Sequence, residues 1–588
     1  RRVRGHDEGA VTDGCARRAG WRRLGVLRVY FWLPEALWMI LLHLMTRSGH
    51  HARRLRWLPP WFDQVIHLPL PFLEEFIARA YRDDPQAAQE TIMYLSNSTT
   101  LTRVAARCMV RVAFDTCNRA RALKEIADLA DELAWIPSPL PETISPLLSR
   151  VIEVSQSARA AQYARSGLAR AAHLRPGARA LADIRKAATL SDRRDDRDYG
   201  ALAEAWSALF ERAIAEAEEQ ARREGQIPQA YVAGPPLHPS TSVNLLRGRA
   251  DLFRELEGLL LAPARPVLLL YGGRRAGKTS FLNFLPRTLG GNVLPLLVDG
   301  QELAAVETQQ GIARRLAGAM SRSARESRNQ TLPRWDDERM SRDPFDALLD
   351  WFDTIERETQ RETVLLCLDE FERLDEIVQK SGNHAALHFL RHVIQHRLRW
   401  SVLLSGSHLL EELPAYWSDF LINTRALRVS YLSPTDTRNL IEHPTPDFPS
   451  IYTREAVDEI AGLTSGQPYL TQLICYELVE WLNLNREERR QITRDDARNI
   501  LPIVFERGHQ YFSEFWNLTL DEAGRDLVRA LIVNPGRPLS DEQRQTAQRL
   551  ERKEILRRQH DCLPEYEFQV PLLRLYVETI ITGEIDEE

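Results

Sequence analysis

The 588-residue sequence predicts an α/β domain built on a parallel sheet, with an all-α region before it and helical segments behind it. Three observations carry that expectation. Short apolar runs alternate with helical stretches from about residue 266 onward. A glycine-rich loop, YGGRRAGKTS at 271–280, joins the first of those runs to a helix. Ahead of residue 225, apolar residues instead recur at spacings of three and four.

The runs are Pro266–Tyr271 (PVLLLY), Asn292–Gly300 (NVLPLLVDG), Thr363–Glu370 (TVLLCLDE), Trp400–Ser407 (WSVLLSGS) and Ala426–Leu432 (ALRVSYL). Nearly continuous apolar runs suit parallel strands, because crossover helices cover both faces of the sheet and neither face meets water.

In the loop, Gly272 and Gly277 stand five apart and are followed by Lys278 and Thr279, which completes G-x-x-x-x-G-K-[ST]. Such a loop turns the backbone N–H groups of Gly272, Gly273, Arg274, Arg275, Ala276 and Gly277 inward around phosphates. Lys278 reaches the β/γ oxygens and the Thr279 hydroxyl holds Mg²⁺. Ser280 opens the following helix (SFLNFL), whose N-terminus is itself an anion site. The expected ligands are ATP and Mg²⁺.

About 90 residues later, VLLCLDEFE puts Asp369 and Glu370 at the end of an apolar strand. Ligands of doubly wound sheets sit at the carboxyl ends of strands. Asp369 is therefore expected to share the Mg²⁺ with Thr279, and Glu370 to act as the catalytic base that positions the attacking water. The next strand ends in Ser405-Gly406-Ser407, so Ser405 or Ser407 is a candidate sensor of the γ-phosphate. Arg391, Arg397 and Arg399 are candidate phosphate-facing or neighbour-facing fingers. His384, His388, His392 and His396 fall at intervals of four on one helix. With Leu387, Leu390, Val393 and Ile394 nearly opposite and no carboxylate among them, a solvated stripe is expected rather than a zinc site.

The first 24 or so residues are polar and arginine-rich and are expected to be disordered. The chain starts with arginine, as a fragment would. From Pro71 to Leu190 the pattern is helical, Ser191–Tyr199 reads as a charged break, and Gly200–Glu224 as one long helix. Gly225–Ser242, rich in Pro, Gly and Ser, reads as a linker. The expected division is 1–224 helical region, 225–242 linker, 243–432 core, 433–500 lid and 501–588 C-terminal domain.

Six scattered cysteines and a net charge of −5 fit a cytoplasmic protein without disulfides and give no general attraction to nucleic acid. Val26–Met45 is long enough to span a bilayer, but Arg28 and Glu35 each cost roughly 2.5–3.5 kcal/mol at mid-helix, against about 0.3–0.6 returned per large aliphatic. A buried or interfacial helix is expected, with membrane association left open.

Taken together, these residues resemble the STAND class of signal-transduction ATPases, close to AAA+ and origin-recognition ATPases. LLRGRADLF (Leu245–Phe253) is similar to the segment that lies over the adenine in that family, which implies nucleotide contacts for Gly248 and Arg249. TSGQPYLTQLICYELVE (Thr464–Glu480) resembles the helical lid, whose Gly-x-Pro turn implies a nucleotide contact for Pro468. ITRDDARNI through QRLERKEILRRQHDCLPEYEFQVPLLRLYV resembles a C-terminal winged helix. The resemblance, over roughly Val243–Ile581, implies a phosphate-loop sheet of the additional-strand, catalytic-glutamate type. It departs from the family at Ser407, where relatives carry arginine, and at QVPLLR (Gln569–Arg574), where they carry Met-His-Asp.

Two functions follow as expectations. The first is a slow regulatory ATPase whose nucleotide state controls an N-terminal sensor or effector region, self-association and an unknown protein partner. The alternative is an initiator or loader that holds DNA with its winged helix. Leu501–Glu588 carries 11 basic and 17 acidic residues, against the basic face expected of a DNA-binding domain. Arg549, Arg552, Lys553, Arg557 and Arg558 form a local basic cluster that keeps the alternative open.

Overall fold

In the computed structural model the described residues are 32–61, 70–96, 101–136, 146–191, 194–242, 244–262, 266–359, 363–381, 384–407, 417, 424–485, 491–559 and 564–587. They fall into two units, Arg1–Gln226 and Ile227–Glu588. The expectation for residues 1–24 lies outside the described residues.

The first unit is all-α among its described residues, with helices at 32–45, Leu73–Asp83, Pro85–Ser96, Thr102–Cys117, Leu123–Glu132, Pro146–Tyr163, Gly167–Leu190 and Arg194–Arg223. The apolar positions read at three and four become one core, which includes Met39, Phe76, Val112, Leu148, Leu181, Trp206 and Phe210. Glycine permits close approach of the last helices. A Cβ on Gly167 would strike the carbonyl of Ala217, and one on Gly177 would lie 2.5 Å from Phe210 Cε1. Pro176 sits inside a helix. There the Ser157 hydroxyl inserts into the ladder, accepting from Gly177 N at 3.0 Å and donating to the carbonyl of His173, a known way of accommodating a proline.

Two expectations change in this unit. The charged break is narrower than Ser191–Tyr199, because the last helix starts at Arg194. The Ser191 hydroxyl donates to Asp196 at 2.7 Å, and an acidic residue is stabilised at a helix N-terminus. Of Val26–Met45, residues 32–45 are helical and bury Ala36, Met39 and Leu42. No described helix is long and apolar enough to cross a membrane.

The second unit is organised by a five-stranded sheet in the order β2-β3-β4-β1-β5. The strands are β1 Val267–Tyr271, β2 Val293–Asp299, β3 Thr363–Asp369, β4 Trp400–Gly406 and β5 Thr424–Arg428. All four pairings are parallel. β4 is inserted between the strand that feeds the glycine loop and the strand that ends at Asp369, with Asp369 in register with Ser405. Separate cores cover the two faces, one including Leu294, Phe352, Leu366 and Val402, the other Leu268, Phe281, Leu365 and Leu403. The fifth strand starts two residues before the predicted run and stops at Arg428. Three of its five residues are exposed, so edge position rather than apolar content defines it.

Helices Pro434–Glu442, Arg454–Thr464, Pro468–Leu484 and Arg494–Asn499 follow. Beyond them lie helices Leu501–Arg507, His509–Glu514, Glu522–Val533 and Asp541–Arg552, an antiparallel ribbon of β6 Leu556–Arg558 and β7 Tyr566–Phe568, and helix Pro571–Glu587. One core joins these segments from Ile441 to Val577, and it includes Ile227 and Tyr231.

The stretch expected to be a free linker is thus largely a packed strap. Ile227 N donates to Asn483 at 2.9 Å, Val232 N to Gln472 at 3.1 Å and the Tyr231 hydroxyl to the carbonyl of Ile441 at 2.5 Å. Extended chain rich in Pro and Gly lacks internal hydrogen bonds whether it runs free or lies on a surface, so composition does not separate the two cases.

Candidate nucleotide site

β1 delivers the chain to the glycine loop, and helix Lys278–Thr288 starts directly after it with Gly277 as N-cap at φ 102°. That left-handed conformation is open to glycine without penalty. Gly272 is needed for a different reason, since a Cβ there would collide with the carbonyl of Val429 just beyond β5. Lys278 Nζ donates to the carbonyls of Gly272 and Gly273 at 2.9 and 3.0 Å. Burial lowers its pKa from the ordinary lysine value, while Asp369 and Glu372 act in the opposite sense.

Asp369 is the centre of the site and is buried. Its Oδ2 accepts from the Thr279 hydroxyl at 2.6 Å and its Oδ1 from the Ser405 hydroxyl at 2.6 Å. Both contacts come from the sheet order, since β4 and the helix after β1 flank the end of β3. A carboxylate and a hydroxyl converging this closely suit Mg²⁺, which takes one or two protein oxygens and fills its remaining positions with water and phosphate.

Glu370 leaves the strand with φ 48°, an uncommon conformation for a residue with a side chain. Its Oε2 accepts from Gln301 Nε2 at 2.8 Å and lies 3.3 Å from Arg373 Nε. Gln301, in the short helix after β2, was not found by sequence reasoning. Its only signal is that it follows Asp299-Gly300 at the carboxyl end of a strand. Beside it, burial raises the pKa of Asp299 from the ordinary carboxylate value.

Gly277, Lys278, Thr279, Gln301, Asp369, Glu370 and Arg373 line a cavity of about 730 Å³ together with Val232, Leu237, Leu245, Leu432, Leu440, Pro468 and Glu514. The strap therefore contributes wall to the site, another feature that the sequence did not disclose. Ser280 also lines the cavity, and its hydroxyl accepts from Leu237 N at 3.0 Å.

Arg249 is buried and donates to the carbonyls of Ala276 at 2.9 Å and Ser430 at 2.8 Å, so it braces the loop against the segment after β5. Gly248, at φ 63°, forms the turn before it, where a Cβ would lie 2.8 Å from Asp436 Oδ2. Arg274 and Arg275 line the cavity but direct their side chains to other elements. Arg274 Nη1 is 3.0 Å from Glu514 Oε2, and the Arg275 guanidinium lies 4.4 Å from the Tyr469 ring centre. Pro468 is the first residue of its helix, behind Gly466 at φ 76°.

Arg397 and Arg399 do not face the phosphate loop of their own chain. Arg397 pairs with Asp353 at 2.6 Å and Glu356 at 3.1 Å, and Arg399 donates to the carbonyl of Glu356 at 2.6 Å. Both immediately precede β4, at the amino edge of the sheet, opposite the loop. Arg391, on the helix before them, does not line the cavity either. Of the two sensor candidates, Ser405 serves Asp369, while Ser407 donates through N and Oγ to Glu372 Oε1 at 3.1 and 3.0 Å. The four histidines lie on the exposed side of helix Ala385–His396, and no group of three or more metal-ligating side chains occurs among the described residues. The C-terminal basic cluster is partly neutralised: Arg549 pairs with Asp521 at 2.7 Å, Arg557 with Glu567, and Arg558 with Glu565 at 3.4 Å.

No family model matches the sequence, and no curated protein matches it. Among solved structures, a Walker-type ATPase of Pyrococcus abyssi is 16% identical over 59% of this chain and 99% of that one, with a TM-score of 0.42. The Thermotoga maritima RuvB Holliday junction branch migration motor is 16% identical over 53% of this chain and 90% of that one, with a TM-score of 0.30. Likenesses this distant decide neither activity nor partners.

Proposed function

We propose that the chain binds ATP with Mg²⁺ and hydrolyses it slowly as a regulatory switch of the STAND type. The observation that carries this is the convergence on Asp369 of hydroxyls from the phosphate loop and from β4, with Glu370 held beside it by Gln301. Thr279 and Asp369 would hold the ion, which when bound offsets charge on the β- and γ-phosphates. The loop N–H groups and Lys278 bind and orient the triphosphate. Glu370 takes a proton from the attacking water, and Gln301 and Arg373 fix the carboxylate that receives it. Val232, Leu237, Leu245, Leu432 and Leu440 form an apolar seat at the strap end of the cavity that suits the adenine ring.

The switch part rests on what else lines the cavity. The helix starting at Pro468 and the one ending at Glu514 reach the loop through Tyr469 and Glu514, so movement of the loop acts directly on a lid and on the winged-helix-like C-terminal segment. The initiator alternative loses support from the carboxylates that face Arg549, Arg557 and Arg558. Steady-state phosphate release by the full chain, with Lys278→Ala as control, tests the activity. Comparison of protease cleavage with ATP analogue and with ADP tests the switch. Absence of Lys278-dependent turnover would refute the first part, and identical cleavage patterns the second.

A further inference from the structure

The helix at 32–45 plays no part in the nucleotide site, and its two sides are both apolar. Ala36, Met39 and Leu42 face the N-terminal core and are buried. Leu33, Leu37, Leu41 and Leu44, at helical spacing, form the other side and are 58%, 58%, 47% and 76% exposed. Trp38 and Met45 lie next to them and are exposed too. An ordinary surface helix places charged and polar residues outward, so a contiguous apolar outer face marks a contact surface.

The segment after the helix extends the same surface. Trp38 Nε1 donates to the carbonyl of Trp57 at 2.9 Å, which ties the helix to the turn Ala52–Trp57, and Trp57 and Trp61 are exposed. Arg54 secures the corner through the carbonyl of Met45 at 3.2 Å and the Thr46 hydroxyl at 3.3 Å. Residues 32–61 carry four arginines and one acidic residue, Glu35. Arg47, Arg53 and Arg56 are exposed.

We propose that this face docks on the surface of an anionic lipid bilayer, with the helix lying in the plane of the interface. Leucines and Met45 would sit at the acyl boundary, the tryptophans at headgroup level, and the arginines on lipid phosphates. At about 1.5 Å per residue the described part of the helix, 32–45, is about 21 Å long, enough to lie along a bilayer surface. Charge favours lipid over a second copy of this chain. Pairing two copies through this face would add arginine to arginine, with Glu35 as the single carboxylate of residues 32–61 to offset them.

Flotation of the full chain with phosphatidylcholine vesicles, with and without phosphatidylserine, provides the test. Binding is expected to the anionic vesicles and to weaken as salt rises. Combined Arg47→Gln, Arg53→Gln and Arg56→Gln should weaken it by roughly fivefold per arginine. Combined Leu37→Glu, Leu41→Glu and Leu44→Glu should abolish it, with helix content by circular dichroism and nucleotide affinity unchanged. Bromine-labelled acyl chains should quench wild-type tryptophan fluorescence, and Trp38→Phe should reduce that quenching, which keeps the idea testable if the triple glutamate variant misfolds. No flotation of the wild type with anionic vesicles overturns the proposal, as does unchanged binding of the glutamate variant or absence of quenching. A dimer that the glutamate variant dissociates, in a protein that ignores vesicles, would assign the face to a second copy instead.

Discussion

Several buried hydroxyls of the N-terminal unit and the two hydroxyls at the end of β3 do different things. In the N-terminal unit several turn back on their own helix: Thr91 bonds the carbonyl of Ala87, Ser155 that of Ile152 and Thr46 that of Leu42. Each hydroxyl spends its one donor within one turn. In the second unit, buried Ser405 reaches Asp369 across 36 residues, and Thr279 reaches the same carboxylate across 90. Long-range polar contacts must offset the desolvation of every partner and must have geometry imposed by the fold. At the carboxyl edge of the sheet two of them meet on one carboxylate.

Substitutions can break or sharpen that contrast. The largest effect is expected from Lys278→Ala, which should abolish measurable ATP binding in equilibrium dialysis while leaving the N-terminal unit's helix signal intact. Retained affinity in a folded protein would remove the loop from its assigned role. Glu370→Gln keeps side-chain size but cannot accept the proton. Its turnover should fall roughly 10²–10⁴-fold, with ATP still bound in a filter assay, and full turnover would excuse Glu370 from catalysis.

On the scaffold side, Phe210→Ala should cost about 3–5 kcal/mol by opening a cavity in the melting transition that nucleotide does not shift, with ATP affinity unchanged. A matching loss of affinity would show that the units do not behave separately. Ser405→Ala removes the shorter of two hydrogen bonds to Asp369 Oδ1, leaving the one from Glu370 N at 3.2 Å. It should cost about 1 kcal/mol, visible in the transition that ATP does shift, and a silent variant would make Ser405 incidental to the site.

The smallest expected effect is one of pH. His51 is buried against Phe76, and burial lowers its pKa from 6.5, opposed by Asp83. A lowered histidine pKa gives stability that is complete above the unfolded value and lost as pH falls through the folded one. The melting temperature of the first unit should therefore drop on acidification from pH 7 to about 5 more in the wild type than in His51→Gln. Equal drops would clear His51.

The first four strands and the loop were legible because each obeys a local rule, continuous apolar runs in one case and fixed glycine spacing in the other. The place of Asp369 and Glu370 was legible because an apolar run that meets two acids marks the end of a strand, here β3. Gln301 was hidden because its importance depends on β2 lying next to β3, and sheet order does not appear in one strand's residues. Arg397 and Arg399 misled for the same reason: basic residues near a motif strand say nothing about which end of the sheet they occupy. The strap misled because Pro and Gly remove internal hydrogen bonds without revealing whether a neighbour replaces them.

Arg274 and Arg275 occupy the variable places of the loop's pattern, the ones that a motif allows to be anything. In the proposed function their backbones face the ligand, while their side chains go to Glu514 and Tyr469. One short segment thus carries two independent messages, one in its main chain and one in its side chains. Changes at these two places would leave the motif intact and the ligand bound, yet disconnect binding from everything downstream. Such variants would pass any inspection for the motif and still be deaf to the nucleotide they hold.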